Sequence, residues 1–181
     1  NAEKLEEFLL AGGTDNIDSV EELAVVRAIS ERHPDKELNL GIRCNYDVQD
    51  GVVSRFGFDV DGEDFNDVLE FVTTTENVHF INFQCHFAKR QIDYWPARAK
   101  GMVELIDRLG IIPERIDIGG GLFGKMADSL KAQFKNVIPN YQAYAEAAAS
   151  VFAEYFADKD VKPELLIEPG SAVVGDCMKF V

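Results

Sequence analysis

The sequence predicts an α/β fold in which parallel strands lie under covering helices, arranged either as a barrel or as a doubly wound sheet. Two observations predict it. Strand-like and helix-like segments alternate along all 181 residues. The polar residues with chemical character, Arg43, His86, Gly119 to Gly121 and Glu168, fall at the carboxyl ends of four separate strand segments. Both barrels and open α/β sheets place their sites along that edge.

In chain order, "NAEKLEEFLL" at the start is acidic and helical in character. Residues 17–30 open with a capping box, Ser19 with Glu22, and set Val20, Leu23 and Val26 at helical spacing. The short β-rich stretch 38–45 follows, then a helix over 64–72 that Asp64 caps. Residues 78–87, "VHFINFQCHF", are dense in aromatic and β-branched types and predict a strand. The helix over 93–110 starts at Asp93 with an early Pro96. It lines up Met102, Leu105, Ile106 and Leu109, and Gly110 ends it. Residues 115–120 form a strand. Residues 140–156 set Tyr141, Tyr144, Ala145, Ala148, Phe152 and Tyr155 on one helical face, and 164–170 and 171–181 finish as strands. The strands are apolar enough to suggest burial on both faces. No internal repeat or linker divides the chain, so 1–181 is expected to be one domain. Four clear strand–helix units fall short of eight. The chain also lacks an initiator Met and ends on an apolar run, so it is expected to be a piece of a longer protein.

Composition narrows the function. Lys plus Arg number 18 against 32 Asp plus Glu, a formal charge of −14. With "KR" at 89–90 as its only basic cluster, such a chain repels nucleic-acid phosphates. No apolar run reaches the roughly 20 residues that span a bilayer. Cys44, Cys85 and Cys177 lack CxxC spacing, which argues against a zinc site or a disulfide framework and for a reducing, cytoplasmic setting. Cys85 and His86 are neighbours on a strand and so point to opposite faces.

The densest motif is "IDIGGGLFG", residues 116–124. Gly119, Gly121 and Gly124 satisfy the dinucleotide spacing G-x-G-x-x-G. However, residues 138–145, about 20 positions after the motif, hold no acidic residue for a ribose, and no clean helix starts at Gly124. Two readings remain: a tight turn in which glycines admit positive φ, or a bare backbone whose N–H groups form a nest for a phosphate.

Taken together, "LGIRCN" with "SRFGFD", "FQCHFAKR", "RIDIGGGLFG" and "LLIEPGSAVVG" resemble, in order and spacing, the barrel domain of the fold-type III pyridoxal-phosphate-dependent decarboxylases, the ornithine/diaminopimelate/arginine decarboxylase group with its alanine-racemase-like barrel. The likeness spans Gly41 to Gly175. It implies a partial TIM (βα)8 barrel with pyridoxal 5'-phosphate as cofactor. It further implies that His86 stacks on the pyridine ring, that the amides of Gly119, Gly120 and Gly121 bind the phosphate, and that Glu168 bonds the ring nitrogen. Arg43, Gly170 and Ser171 complete the implied cofactor contacts. The chemistry suits these residue types, because loss of carbon dioxide leaves a carbanion and a protonated pyridine is the sink for it. A neighbouring carboxylate keeps that nitrogen charged.

The pattern departs from the family at two phosphate anchors. Ala88 and Lys89 stand where the family has glycine and serine, and Ser171 stands where it has arginine. Lys89 or Arg90 is expected to restore the charge. The resemblance also places the lysine that joins the cofactor upstream of this chain and the substrate-specifying residues in a C-terminal β-domain, partly across a homodimer. This chain alone is therefore expected to be inactive. An amino-acid racemase or epimerase uses the same barrel and cofactor, and a non-catalytic homologue that regulates a true decarboxylase is the rival from another class. Without resemblance, His86 also reads as a core histidine, Glu168 as a strand end, and Arg43 as the partner of an acid such as Asp47.

Overall fold

The computed structural model describes residues 1–52, 54–134 and 137–174. Its elements are α1 (Ala2–Leu10), β1 (Thr14–Ile17), α2 (Val20–Arg32), β2 (Leu38–Asn45), β3 (Phe58–Asp59), α3 (Glu63–Thr74), β4 (Val78–Phe87), α4 (Trp95–Leu109), β5 (Arg115–Gly120), α5 (Asp128–Lys131), α6 (Tyr141–Tyr155), β6 (Glu164–Ile167) and α7 (Ser171–Val174). The strands pair in the order β1-β2-β4-β5-β6, every pair parallel, with the two-residue β3 beside the end of β2. A doubly wound sheet reverses its strand order at a switch point. This sheet advances in one direction only, which is the winding of a barrel, and the fold is that of a partial one.

The two faces of the sheet differ. Leu38, Leu40, Ile42 and Cys44 of β2, Phe83, Cys85 and Phe87 of β4, and Ile116 and Ile118 of β5 are buried in one core with the helices. Between them, on the opposite face, stand Arg43, Asn82, Gln84, His86, Asp117 and Gly119. The expectation of apolar burial on both faces is thus corrected: the helix side is apolar and the inner side is polar. Period-2 alternation produces this split, and a bulge sharpens it. The β2–β4 register shifts between Leu40 and Gly41, leaving Ile81 unpaired and returning Asn82, Gln84 and His86 to the inner face.

Local signals held at several ends. Ser19 Oγ accepts from the Glu22 N–H at 3.2 Å, and Glu22 Oε2 accepts from the Asp18 N–H at 2.9 Å. Gly110, at φ 65, closes α4. Other boundaries differ from expectation. Residues 14–17 form a strand that the sequence did not lead one to expect, and the helix after it begins at Val20, directly behind its Ser19 cap. Asp64 does not cap α3; Gly62 stands at the cap and Asp64 lies in the first turn. Asp93 belongs to a short 3-10 turn, Ile92–Tyr94, ahead of α4. Residues 171–174 are helical, not extended, because Gly170 (φ 47) turns the chain after Pro169; 175–181, with Cys177, lie outside the described residues. Among the described residues no helix is long and apolar enough to cross a membrane.

Candidate functional site

Parallel pairing brings the strand ends of β2, β4, β5 and β6 to one edge. Arg43 is level with Gln84, Gln84 with Asp117, and His86 with Gly119. Glu168 follows β6 directly and donates its N–H to Ile118 O at 3.5 Å, which sets its side chain beside Gly119. A Cβ on Gly119 would collide with Glu168 Oε2 and lie 2.7 Å from His86 Cδ2. The bare backbone of Gly119 is therefore what admits the carboxylate and the imidazole to the same spot.

The other two glycines have different reasons. Gly120 has φ 122, a conformation side chains rarely adopt, and a Cβ there would sit 2.5 Å from Phe87 O and from Arg98 Nη1. Gly121 has ordinary φ, but a Cβ would meet Arg90 Cγ at 2.5 Å and Nε at 2.9 Å. The Arg90 side chain thus lies across the glycine run. Tyr144, on α6, ties the two loops together: its hydroxyl donates to Arg90 O at 2.5 Å and receives the Phe123 N–H at 3.4 Å.

The electrostatics are set by neighbours the sequence reading did not single out. Gln84 Nε2 stands 3.5 and 3.4 Å from the two Glu168 oxygens. Burial, followed by the closeness of Glu168, pushes the Asp117 carboxyl up to about 6. Asp117 Oδ1 and Gln84 Oε1 are buried without a partner. His86 is held below its usual value, by partial burial of its ring and by the Arg43 charge, so it is neutral at pH 7. Arg43 pairs with Asp18 at 3.1 Å, not with Asp47, whose carboxylate receives the Gln49 N–H. The Arg43 guanidinium also lies 5.1 Å over the Phe56 ring. A cavity of about 360 Å³ opens here, lined by Arg43, Arg55, Phe56 and His86 among others.

Gly170 and Ser171 lie at the turn into α7, close to the glycine run: a Cβ on Gly124 would sit 2.5 Å from Ala172 Cα. Cys44 and Cys85, level on neighbouring strands, face the core, and burial keeps both thiols protonated, that of Cys85 up to about 12. The residues singled out from the sequence therefore gather at one edge, with Arg43 set apart on its Asp18 pairing. Gln84 and Asp117 could have been found two positions before His86 and Gly119, by strand alternation. Arg98, buried on α4 beneath the loop, had no such signal.

A singly wound parallel sheet with glycines, a carboxylate and an imidazole at its carboxyl edge defines the class, a barrel-type α/β domain with a candidate site at that edge. The particular family follows from comparison. Residues 4–175 match the model of the pyridoxal-dependent decarboxylase, pyridoxal binding domain, and the chain belongs to that family. It is similar to a diaminopimelate decarboxylase of Archaeoglobus fulgidus, 23% identical over 96% of this chain and 42% of that protein. It is also similar to one of Bacillus methanolicus, 26% identical over 68% of this chain and 29% of that protein. Among solved structures, a diaminopimelate decarboxylase superposes with a TM-score of 0.54 at 13% identity, covering 96% of this chain and 51% of that one, a likeness of fold. The chain spans less than half the length of the curated relatives it matches.

Proposed function

We propose that this chain forms the cofactor-binding barrel half of a pyridoxal-phosphate-dependent amino-acid decarboxylase of the diaminopimelate or ornithine type. The observation that carries the reading is the convergence of Glu168 and His86 on the bare α-carbon of Gly119, at the head of three glycines. The donor set fits the cofactor. A run of backbone with no side chains, flanked by Arg90, suits a phosphate. A carboxylate and a neutral imidazole suit the two demands of a pyridine ring, a partner for its nitrogen and a surface for its face.

Bound there, pyridoxal phosphate supplies an electron sink for the carbanion left when carbon dioxide departs. Gly119, Gly120 and Gly121 hold the phosphate through their N–H groups, with Gly170 and Ser171 at its rim. His86, uncharged, lies on the ring face without competing for a proton. Glu168 holds the proton on the ring nitrogen, and Gln84, donating to both its oxygens, steers it. Arg43, anchored by Asp18, borders the cavity open to an amino-acid substrate. The expected setting is a cytoplasmic homodimer in the intact protein.

A second reading, a non-catalytic homologue that regulates a decarboxylase, is favoured by one observation: Ala88, Lys89 and Ser171 replace two expected phosphate anchors. A racemase or epimerase shares the same cofactor contacts. The test is the visible spectrum of the intact protein with pyridoxal phosphate, before and after borohydride. A band that borohydride erases while fixing the cofactor to the protein supports the enzyme. Carbon dioxide release from meso-diaminopimelate, ornithine, arginine or lysine then separates decarboxylase from racemase and names the substrate. Absence of any band overturns the proposal in favour of the regulator.

A further inference from the structure

Arg98 is fully buried, the only Lys or Arg so placed among the described residues. It projects from the first turn of α4 beneath the glycine run. Its Nη1 donates to Gly119 O at 3.3 Å and its Nη2 to Lys89 O. Its guanidinium stacks on the Trp95 ring at 4.6 Å, with Phe87 at 5.9 Å. Among the described residues no carboxylate stands within ion-pair distance of it, the buried Asp50 acting on its charge from further off, and its Nε is buried without a partner. A buried charge without a contacting counter-ion is unfavourable. Two carbonyls and an aromatic face compensate it only in part.

We propose that Arg98 is the buried positioning residue through which this chain holds a phosphomonoester at Gly119 to Gly121, in place of the serine and arginine that the family pattern leads one to expect. Two effects act together. The guanidinium places a fixed positive charge behind the loop in a water-excluded setting, where charge acts most strongly. It also draws the carbonyls of Gly119 and Lys89 toward itself. In a trans peptide the C=O and N–H point in opposite directions, and no cis peptide occurs among the described residues. The N–H groups of Gly120 and Arg90 are therefore turned away from Arg98. A Cβ on Gly120 would sit 2.5 Å from Arg98 Nη1, so the glycine that the positive φ requires also leaves room for the guanidinium. One arginine thus sets a peptide on each of the two loops that border the site.

The inference rests on pyridoxal phosphate being the ligand, and its test separates the two. In the intact protein, dissociation constants for pyridoxal phosphate and for pyridoxal, the same ring without phosphate, are measured spectroscopically for wild type, Arg98→Met and Arg98→Lys. Folding is checked by circular dichroism. The expected result is at least a tenfold loss of pyridoxal phosphate affinity in Arg98→Met with pyridoxal affinity unchanged. Arg98→Lys, which keeps the charge but cannot span both carbonyls, shows a smaller loss in the same direction and carries the comparison if Arg98→Met does not fold. An unchanged ratio of the two affinities, or equal loss of both, overturns the role. Should wild type bind neither compound, the functional reading fails. Inorganic phosphate then decides the role of Arg98: binding at least tenfold weaker in Arg98→Met, with a smaller loss in Arg98→Lys, upholds it, and binding equal to wild type in both overturns it.

Discussion

Glu168 and Gly119 sit in contact across the β5–β6 pair, the carboxylate occupying the space that a Cβ on Gly119 would need. That relationship makes Gly119→Ala a direct test of the site. The added methyl must displace Glu168, His86 or both. Turnover of the intact protein should fall about a hundredfold, the cost of a displacement near 1 Å in a catalytic constellation, while circular dichroism stays that of wild type. Undiminished turnover would place the chemistry elsewhere.

Glu168→Gln keeps the shape and removes the charge. On the proposed function, pyridoxal phosphate should still bind, because the glycine run is untouched. The carbon dioxide release rate should drop on the order of a hundredfold or more, since an amide cannot hold the ring nitrogen protonated. A rate equal to wild type would remove Glu168 from the mechanism.

Asp117 holds its proton up to about pH 6, because it is buried beside Glu168, whereas an ordinary aspartate releases it near 3.8. Between those values the folded chain binds more protons than the unfolded one. Stability from this group is therefore full below about pH 4 and is lost as the pH rises through about 6. Asp117→Asn removes the linkage, so the variant should gain on wild type in urea midpoint between pH 4.5 and pH 7. Asp15, raised to about 6 by burial and by Glu22 and Asp18, should behave alike. A constant difference across that range would count against the assignment.

Two cap variants separate a residue that caps from one that only resembles a cap. Ser19→Ala removes the 3.2 Å bond to the Glu22 N–H and should cost about 1 kcal/mol. Asp64→Ala, inside the first turn of α3 and bonded to no cap N–H, should cost about half that or less, through the helix dipole alone. Chemical denaturation of both variants measures the difference, and equal losses would contradict the boundary at Gly62.

Much of the candidate site's placement was legible because the residues singled out stand at or beside strand ends. His86, Gly119 and Glu168 follow apolar runs, and a parallel sheet aligns such ends whatever the distance between them in sequence. Arg43 was legible by position but not by partner: Asp47 is near in sequence, and Asp18 is the residue the β1–β2 pairing brings close. The meaning of the glycines was only half legible. Of the three, Gly120 alone needs its backbone freedom. Gly119 and Gly121 answer to side chains from β6's end and from the β4–α4 loop.

By itself the sequence determined the alternation of strands and helices, the cap at Ser19, the stop at Gly110 and the ordered motifs that identify the family. These are encoded by local periodicity and spacing, which act over a few residues. Tertiary structure alone decided which face of each strand is polar, through the bulge at Ile81, and that residues 171–174 turn helical. It alone placed Asp117 and Gln84 against Glu168, and buried Arg98 under the glycine run. Each of these depends on contacts between segments far apart in the chain, and the cost or benefit of burying a charge exists only once such segments have packed.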